Sequence, residues 1–358
     1  MQSVFLKNQN VKNDQKLLIQ WYTENKRPLP WRSQNGEKKD AYRIWISEVM
    51  LQQTTVTAVI PYFEKFLKRF PTVSDLANAT IEDVYVMWAG LGYYSRARNL
   101  HKAALLISDM AANGQTFPQS YQQLLDLPGF GPYTARAVSS LAFGEKTGVL
   151  DGNVIRVLSR KYGIDTDWWQ TAARNELQNI SDQLAQTEHV SDLNQGLMEL
   201  GATICTPKKV LCLMCPWVKT CVSRKQDRIS ERPRMRPRAA FEIWQWDFQV
   251  LTRQKKSVTE IFLIENAATP FLKKNWLPLS TAKKVSKKPK KYDLKHGVTK
   301  FDIFCSIKFS EQPSGPKSAV TQMPSSDLIN GRWVNISEIQ KTNPTSLMKK
   351  IIGFVTEK

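Results

Sequence analysis

The stretch LPGFGPYTA, Leu127–Ala135, decides the interpretation of the fold, because it joins two apolar helical patterns through a tight turn. Its two glycines, Gly129 and Gly131, expose backbone N–H groups, and the positive end of the second helix then faces outward. This geometry suits a phosphate of a nucleic acid backbone. A plain helical hairpin is the alternative, since Gly–Pro turns between helices are common.

Outward from this turn, residues 17–223 carry apolar side chains at three- and four-residue spacing, which predicts helices and no strands. The basic stretch Arg228–Arg238 is interrupted by prolines and predicts an extended linker. From about residue 241 the apolar side chains alternate, which predicts strands, and two short helical patterns follow. The lysine-rich run Lys283–Lys291 between the predicted strands is interpreted as a solvated loop.

The chain has 358 residues and a formal net charge of +19, from 51 Lys and Arg against 32 Asp and Glu. Such an excess favours a polyanionic partner, nucleic acid before a membrane surface, although a basic surplus that only aids solubility is the alternative. No apolar run reaches the length of a membrane span, and the first residues do not resemble a signal peptide. We therefore expect a cytoplasmic, intracellular and nucleoid-associated protein with no membrane partner.

Four of the five cysteines lie within 17 residues: Cys205, Cys212, Cys215 and Cys221. Thiols that cluster in a reducing compartment indicate a metal site rather than disulfides. The spacing has one CxxC pair where structural zinc sites more often have two, and thiolate-only ligation also suits iron–sulfur clusters. Spacing alone leaves the identity of the metal open. Cys305 stands apart and is interpreted as a buried thiol.

Two carboxylates stand in apolar surroundings. Glu48 lies in the helical pattern SEVMLQQT (residues 47–54), where burial would raise its pKa and make it a candidate general acid. A Glu that faces solvent is the alternative. Asp151, in VLDGNVIRV (149–157), could stabilise a developing cation, act as a base or cap the following helix.

Together these segments resemble the helix-hairpin-helix DNA glycosylases, and specifically the adenine DNA glycosylase (MutY) family. The resemblance is dense over residues 20–225, and the matching segments also include GLGYYSRARNLHKAA (90–104) and NQGLMELGATICT (194–206). It implies an all-α helix-hairpin-helix glycosylase domain over 1–225, with a six-helix barrel and an iron–sulfur cluster domain whose loop spans 205–221. A basic linker, 226–240, and a small α/β Nudix-like lesion-recognition domain, 241–358, would follow. The four clustered cysteines would hold a [4Fe–4S] cluster.

The resemblance also implies a monofunctional adenine DNA glycosylase of base excision repair. Its partner would be double-stranded DNA in which adenine is mispaired with 8-oxoguanine or guanine, and the protein would be a monomer. Glu48 would protonate the flipped adenine, Asp151 would stabilise the cationic sugar, Asn153 would orient the site and Tyr133 would hydrogen-bond the acid. A Tyr at 133 replaces the lysine of relatives that form a Schiff base, so little strand cleavage is expected.

Further positions match family residues that contact DNA: Arg27 and Gln195 at the adenine, Gln53, Thr54, Leu91 and Tyr93 beside the mispair, Gly129 and Gly131 in the hairpin, and Thr299 at the lesion. The family's Phe-Ser-His lesion-reading loop is replaced here by Val298-Thr299-Lys300, and the acidic Nudix motif is missing, so no nucleotide hydrolysis is expected. An insertion at Asn35–Lys39 lengthens a loop.

Two other functions compete with this interpretation. A glycosylase of the same fold with pyrimidine specificity is opposed by Glu48, because thymine has no N7 to protonate. The other is a non-catalytic DNA-binding protein that a metal stabilises, in which Glu48 and Asp151 would have no catalytic role.

Overall fold

A computed structural model describes residues 10–32, 39–237, 240–255, 257–267, 269–273, 275–311, 331–343 and 345–356. Most of the insertion predicted at Asn35–Lys39 lies outside these residues. The chain divides into two compact units. The first contains the described residues up to Ala79 and from Tyr93 to Pro237, and the second contains Thr80–Gly92 and the described residues that follow Pro237. None of the described helices is both long and apolar enough to cross a membrane.

The first unit is helical. Its α-helices are α1 (Val11–Asn25), α2 (Ala41–Leu51), α3 (Val56–Arg69), α4 (Val73–Ala77), α6 (Tyr94–Ala112), α7 (Tyr121–Leu125), α8 (Pro132–Phe143), α9 (Gly152–Tyr162), α10 (Thr171–Leu184), α11 (Val190–Thr203) and α12 (Val222–Lys225), with α5 (Ile81–Trp88) grouped in the second unit. Helix α2 is buried almost throughout because its apolar residues leave no polar face.

The hairpin predicted from LPGFGPYTA joins α7 to α8. Gly129 has a φ of 83°, and a Cβ there would lie 2.8 Å from that of Asn99, so the turn requires glycine. The ring of Phe130 stacks on Trp45 of α2 with centroids 5.2 Å apart. Pro132 begins α8, where its missing N–H leaves no helical hydrogen bond unmade. The turn thus fixes α8 against α2, and both helices carry candidate catalytic residues.

Part of the predicted linker packs onto the helical unit. The side chain of Arg232 is buried and pairs with Asp165, its Nη2 lying 2.7 Å from Oδ2. Arg160 of α9 donates through Nε to the backbone oxygens of Ile229 and Arg232. The Arg232 side chain and the backbone oxygens of Ile229 and Arg232 therefore serve as internal hydrogen-bond partners, so the predicted linker is packed at least up to Arg232.

In its described residues, the second unit forms a seven-stranded sheet with helices. The strands are β1 (Glu242–Lys255), β2 (Val258–Glu265), β3 (Trp276–Leu277), β4 (Leu279–Val285), β5 (Leu294–Val298), β6 (Phe301–Glu311) and β7 (Gly331–Asn335). Their order is β3-β2-β1-β6-β5, with β4 paired to β1 and β7 to β2; β1 and β6 are parallel and the other pairs antiparallel. Helices α13 (Ile339–Thr342) and α14 (Ser346–Thr356) follow, and α5 contacts α13.

The core of this unit lies where β1, β2 and β6 face α14, with Trp246, Ile261, Ile303 and Leu347 each buried. The predicted helical domain followed by a small α/β domain is confirmed. The interpretation of Lys283–Lys291 as a loop was partly wrong, because Lys283 and Lys284 belong to β4. The exact domain boundaries stay a prediction, since α5 is grouped with the second unit.

Candidate active site

Glu48 lies on α2 and is buried. Burial raises the pKa of Glu48 to about 7, the nearby Asp151 charge acts in the same direction, and the Tyr133 hydrogen bond and the Arg32 charge act against it. A carboxyl group with this pKa is partly protonated at neutral pH and can donate a proton. The alternative of a solvent-facing Glu48 is excluded.

Tyr133 lies in the first turn of α8. Its hydroxyl donates to Oε2 of Glu48 over 2.8 Å and lies 3.1 Å from Sδ of Met198. Burial raises the pKa of Tyr133 well above its ordinary value, so the phenol stays neutral and remains a donor. Because Oε2 accepts from Tyr133, the acidic proton of Glu48 is left to Oε1.

Asp151 is the N-cap of α9. Its Oδ1 accepts from the backbone N–H of Val154 over 2.7 Å, and its Oδ2 accepts from Nδ2 of Asn153 over 3.0 Å. Burial raises the pKa of Asp151, while these two hydrogen bonds and the Arg156 charge oppose the shift. The same carboxylate can therefore cap the helix and stabilise a positive charge, because the N–H groups that donate to it also favour its ionised form.

Arg156 joins this cap to the cysteine loop. Its Nη2 donates to Oδ1 of Asn153 over 2.8 Å and to the backbone oxygen of Gly201 over 2.7 Å. Its Nε donates to the backbone oxygen of Cys205 over 2.7 Å. The amide of Asn153 is thereby oriented with its nitrogen towards Asp151.

Glu48, Tyr133 and Asp151 line one cavity of about 540 Å³. The other residues predicted from the sequence that line it are Arg27, Gln53, Thr54, Asn153 and Gln195. Residues that are far apart in the sequence, from Arg27 to Gln195, thus line one cavity with Glu48 and Asp151. The two carboxyl groups accept hydrogen bonds from different donors.

Sequence reasoning missed Glu199, which also lines the cavity. Its carboxylate is buried and accepts from Arg27 and Arg32, with Nη2 of Arg32 lying 2.8 Å from Oε2. Burial alone would raise the pKa of Glu199, but the hydrogen bond of Arg27 and the charge of Arg32 lower it below its ordinary value. Gln195 accepts from the hydroxyl of Tyr22 over 2.9 Å. The lining of the cavity therefore includes a third carboxylate, Glu199, which is held as an anion by Arg27 and Arg32.

A second groove lies beside the cavity. Gln52 and Gln53 line both, and Tyr93, Asn99 and Gly129 line the groove. The structure thus brings the predicted residues Gln53, Tyr93 and Gly129 together, while Gly131 caps α8. Leu91 belongs to the second unit, where it is buried.

Thr299 lies in the second unit, in the turn between β5 and β6, with a φ of 51°. Lys300, the next residue, pairs with Glu242 through Nζ and Oε1, 2.6 Å apart, and Glu242 also binds Lys284. Glu242 therefore neutralises part of the charge beside Thr299.

The four clustered cysteines line one small cavity together with Ile204, Val210 and Val218. All are free thiols, and Nη1 of Arg160 lies 3.4 Å from Sγ of Cys205. Among the described residues, no three potential ligands lie close enough together to hold a single metal ion. Four thiols around one apolar-walled space are a donor set that fits an iron–sulfur cluster.

Comparisons with known proteins agree with this geometry. Residues 46–183 match the model of the HhH-GPD superfamily of base excision DNA repair proteins. Over 214 residues the chain is 44% identical to the adenine DNA glycosylase of Homo sapiens, covering 58% of this chain and 39% of that protein. Over 321 residues it is 35% identical to the adenine DNA glycosylase of Mus musculus, covering 88% of this chain and 58% of that protein.

Among solved structures, a thermostable thymine-DNA glycosylase is similar, with a TM-score of 0.54 and 28% sequence identity. The match covers 62% of this chain and 99% of that one. The chain spans about two fifths to three fifths of the length of the curated relatives just named. The predicted family resemblance is confirmed: residues 46–183 form a domain of the HhH-GPD superfamily of base excision DNA repair proteins, and the relatives named above that share 35–44% of the aligned residues are adenine DNA glycosylases.

Proposed function

We propose that this protein is a monofunctional adenine DNA glycosylase of base excision repair. It would hydrolyse the N-glycosidic bond of adenine mispaired with 8-oxoguanine or guanine, after the adenine has left the duplex. The observation that carries the proposal is the pair of carboxyl groups in one cavity, Glu48 with a pKa of about 7 and Asp151 with donors that favour its anion. The names of the relatives support the choice of base.

The target base must leave the stack to be reached, which costs a few kcal/mol and least at a mispair. The cavity of about 540 Å³ offers room for a flipped purine. Arg32 lines this cavity, and its buried Nε–H has no partner among the described residues, so it is available to a ligand acceptor. With Arg27 and Gln195, it would read the edge of the adenine.

Adenine is a poor leaving group until N7 is protonated. Glu48 would supply that proton from Oε1 while Tyr133 holds Oε2. Departure of the neutral base leaves a sugar with oxocarbenium character, which the anion of Asp151 would stabilise. Water then completes the hydrolysis. No step requires an amine, so the sugar is not captured as a Schiff base and the strand stays intact.

The partner would be double-stranded DNA, bound by one copy of the protein inside the cell. The N–H groups of the hairpin turn at Gly129 and Gly131 suit a backbone phosphate, and the net charge of +19 favours the polyanion. Gln53, Thr54, Leu91 and Tyr93 would contact the duplex around the mispair.

A [4Fe–4S] cluster would be held by Cys205, Cys212, Cys215 and Cys221, whose thiols surround one cavity. Such a cluster supplies iron–thiolate bonds that staple the loop and, in some proteins, electron transfer. Arg156, beside the cysteine loop, also contacts the carboxylate cavity through its own hydrogen bonds. Arg156 ties the backbone of Cys205 to Asn153, so the folded loop would help to orient the amide beside Asp151.

Discrimination between 8-oxoguanine and guanine would depend on the second unit. Thr299 offers a hydroxyl, but Val298 and Lys300 replace the aromatic and imidazole groups of the family loop. Because Lys300 pairs with Glu242, it is not a substitute for a stacking residue. We therefore expect a smaller preference for 8-oxoguanine than a Phe-Ser-His loop would give.

A thymine glycosylase is the second candidate, favoured by the structural likeness to a thermostable thymine-DNA glycosylase. Duplexes with adenine opposite 8-oxoguanine, guanine or thymine, and with thymine opposite guanine, separate the two. We expect strand cleavage at adenine only after alkali and no release of thymine. Release of thymine but not of adenine would overturn the proposal in favour of the second candidate, and no release of either base would favour a non-catalytic DNA-binding protein.

A further inference from the structure

The turn that follows α2 separates the carboxylate cavity from the second groove, because Gln52 and Gln53 line both. We call these two residues the partition. Gln53 has a φ of 59°, in the left-handed region that residues with a Cβ adopt only when their surroundings enforce it. Contacts around the partition must therefore hold it in place.

Arg96 of α6 supplies those contacts. Its Nη1 donates to the backbone oxygens of Val49, Met50 and Gln52, over 2.7, 3.0 and 2.7 Å. Carbonyl groups at the C-terminal end of a helix lack helical partners and carry the negative end of the helix dipole. A guanidinium is the strongest partner that a side chain can offer there, because its charge strengthens each hydrogen bond.

The same guanidinium also lies over the ring of Tyr93, another residue that lines the groove. Its carbon lies 5.6 Å from the centroid of the Tyr93 ring, which is 45% exposed. Tyr93 is itself in the left-handed region, with a φ of 49°. One arginine thus links two strained residues that belong to different segments of the chain and line one groove.

We propose that Arg96 is a positioning residue for base extrusion, an inference that rests on the proposed glycosylase function. It holds Gln53 and Tyr93 in the conformations that fill the space an extruded adenine leaves. Without it, the partition relaxes towards ordinary backbone angles and extrusion slows. The proton donor Glu48 lies on the other side of the partition, so its titration is unaffected.

The test uses the full chain and a duplex with adenine opposite 8-oxoguanine and 2-aminopurine next to the adenine. Stopped-flow fluorescence reports extrusion, and single-turnover excision at saturating enzyme reports chemistry. We expect Arg96→Met to slow both by about tenfold or more, as small misplacements near a reacting centre do. The pH dependence of the remaining excision rate stays that of the wild type. Lys102→Met, which removes an exposed cation from the same helix, should match the wild type.

Arg96→Lys keeps the charge but cannot match the spread of the guanidinium, so we expect a smaller slowing. It also serves as the test if Arg96→Met does not fold, which circular dichroism would reveal. Wild-type extrusion in a folded Arg96→Met or Arg96→Lys protein would overturn the positioning role. If the wild type itself releases no adenine, the proposed function has failed instead.

Discussion

The hydroxyl of Tyr133 donates a 2.8 Å hydrogen bond to Oε2 of Glu48, so a neutral phenol orients a carboxyl group that burial keeps partly protonated at pH 7. Asp151 lies on the same cavity but caps a helix and accepts two hydrogen bonds that favour its anion. Burial raises the pKa of both carboxyl groups, but the hydrogen-bond donors and the Arg156 charge at Asp151 oppose that shift and favour its anion. This division is what acid-assisted cleavage of a glycosidic bond needs.

The excision rate should depend on pH through Glu48. Because its pKa is about 7 and the protonated form is active, the rate should fall about tenfold per pH unit above that value. The rate should also fall at acidic pH, where Asp151 becomes protonated. This acid limb of the pH–rate profile should lie above the ordinary pKa of an aspartate, since burial raises the pKa of Asp151. Single-turnover rates measured from acidic to alkaline pH check both limbs of the pH–rate profile. A rate that rises through pH 7 would mean that Glu48 acts as its anion.

Tyr133→Phe should move the alkaline limb to higher pH. The phenol lowers the pKa of Glu48, so its removal lets burial raise that pKa further. The rate at neutral pH should nevertheless fall, by about tenfold, because the acid is no longer held in one orientation. Tyr121→Phe, outside the cavity, is the control and should leave the profile unchanged. An alkaline limb that moves to lower pH would contradict the assigned donor direction.

Glu48→Gln should stabilise the protein at alkaline pH. In the folded protein the pKa of Glu48 is about 7, above its ordinary 4.5. The contribution of Glu48 to the free energy of unfolding is therefore fully present below pH 4.5 and is lost as the pH rises to about 7. Gln cannot ionise, and the variant should therefore be more stable than the wild type by roughly 3 kcal/mol once Glu48 is charged. Urea unfolding at acidic and alkaline pH measures the difference. Glu64→Gln, at an exposed site, should show no such pH-dependent gain.

Sequence reasoning found residues that sit in linear motifs. Glu48 lies in an apolar helix, and Asp151 precedes a glycine and a helix start, so local pattern alone indicated burial and capping. Glu199 escaped because its partner Arg27 is 172 residues away in the chain. The strand β4 escaped because its exposed lysines form no apolar alternation, although the backbone pairs with β1. A pattern among neighbouring residues does not reveal an ion pair or a strand pairing between segments that are far apart in the chain.

The cysteine loop should carry iron. Anaerobically purified protein is expected to contain about four iron atoms per chain and to absorb visible light. Cys212→Ser should lose most of this iron, whereas Cys305→Ser, at the buried thiol of the second unit, should keep it. Iron retained in full by Cys212→Ser would contradict the assigned ligands. One zinc ion per chain in place of iron would overturn the cluster itself.

The central claim is that Glu48 and Asp151 together release adenine, and the most direct test is single-turnover release opposite 8-oxoguanine by cluster-loaded protein. The control Asp40→Asn changes an N-cap of α2 in the way that Asp151→Asn changes that of α9. We expect alkali-dependent cleavage at adenine by the wild type and by Asp40→Asn. For Glu48→Gln and Asp151→Asn we expect losses of about a thousandfold or more in the release rate. Adenine release at the wild-type rate by folded Asp151→Asn, or none by the wild type, would contradict it.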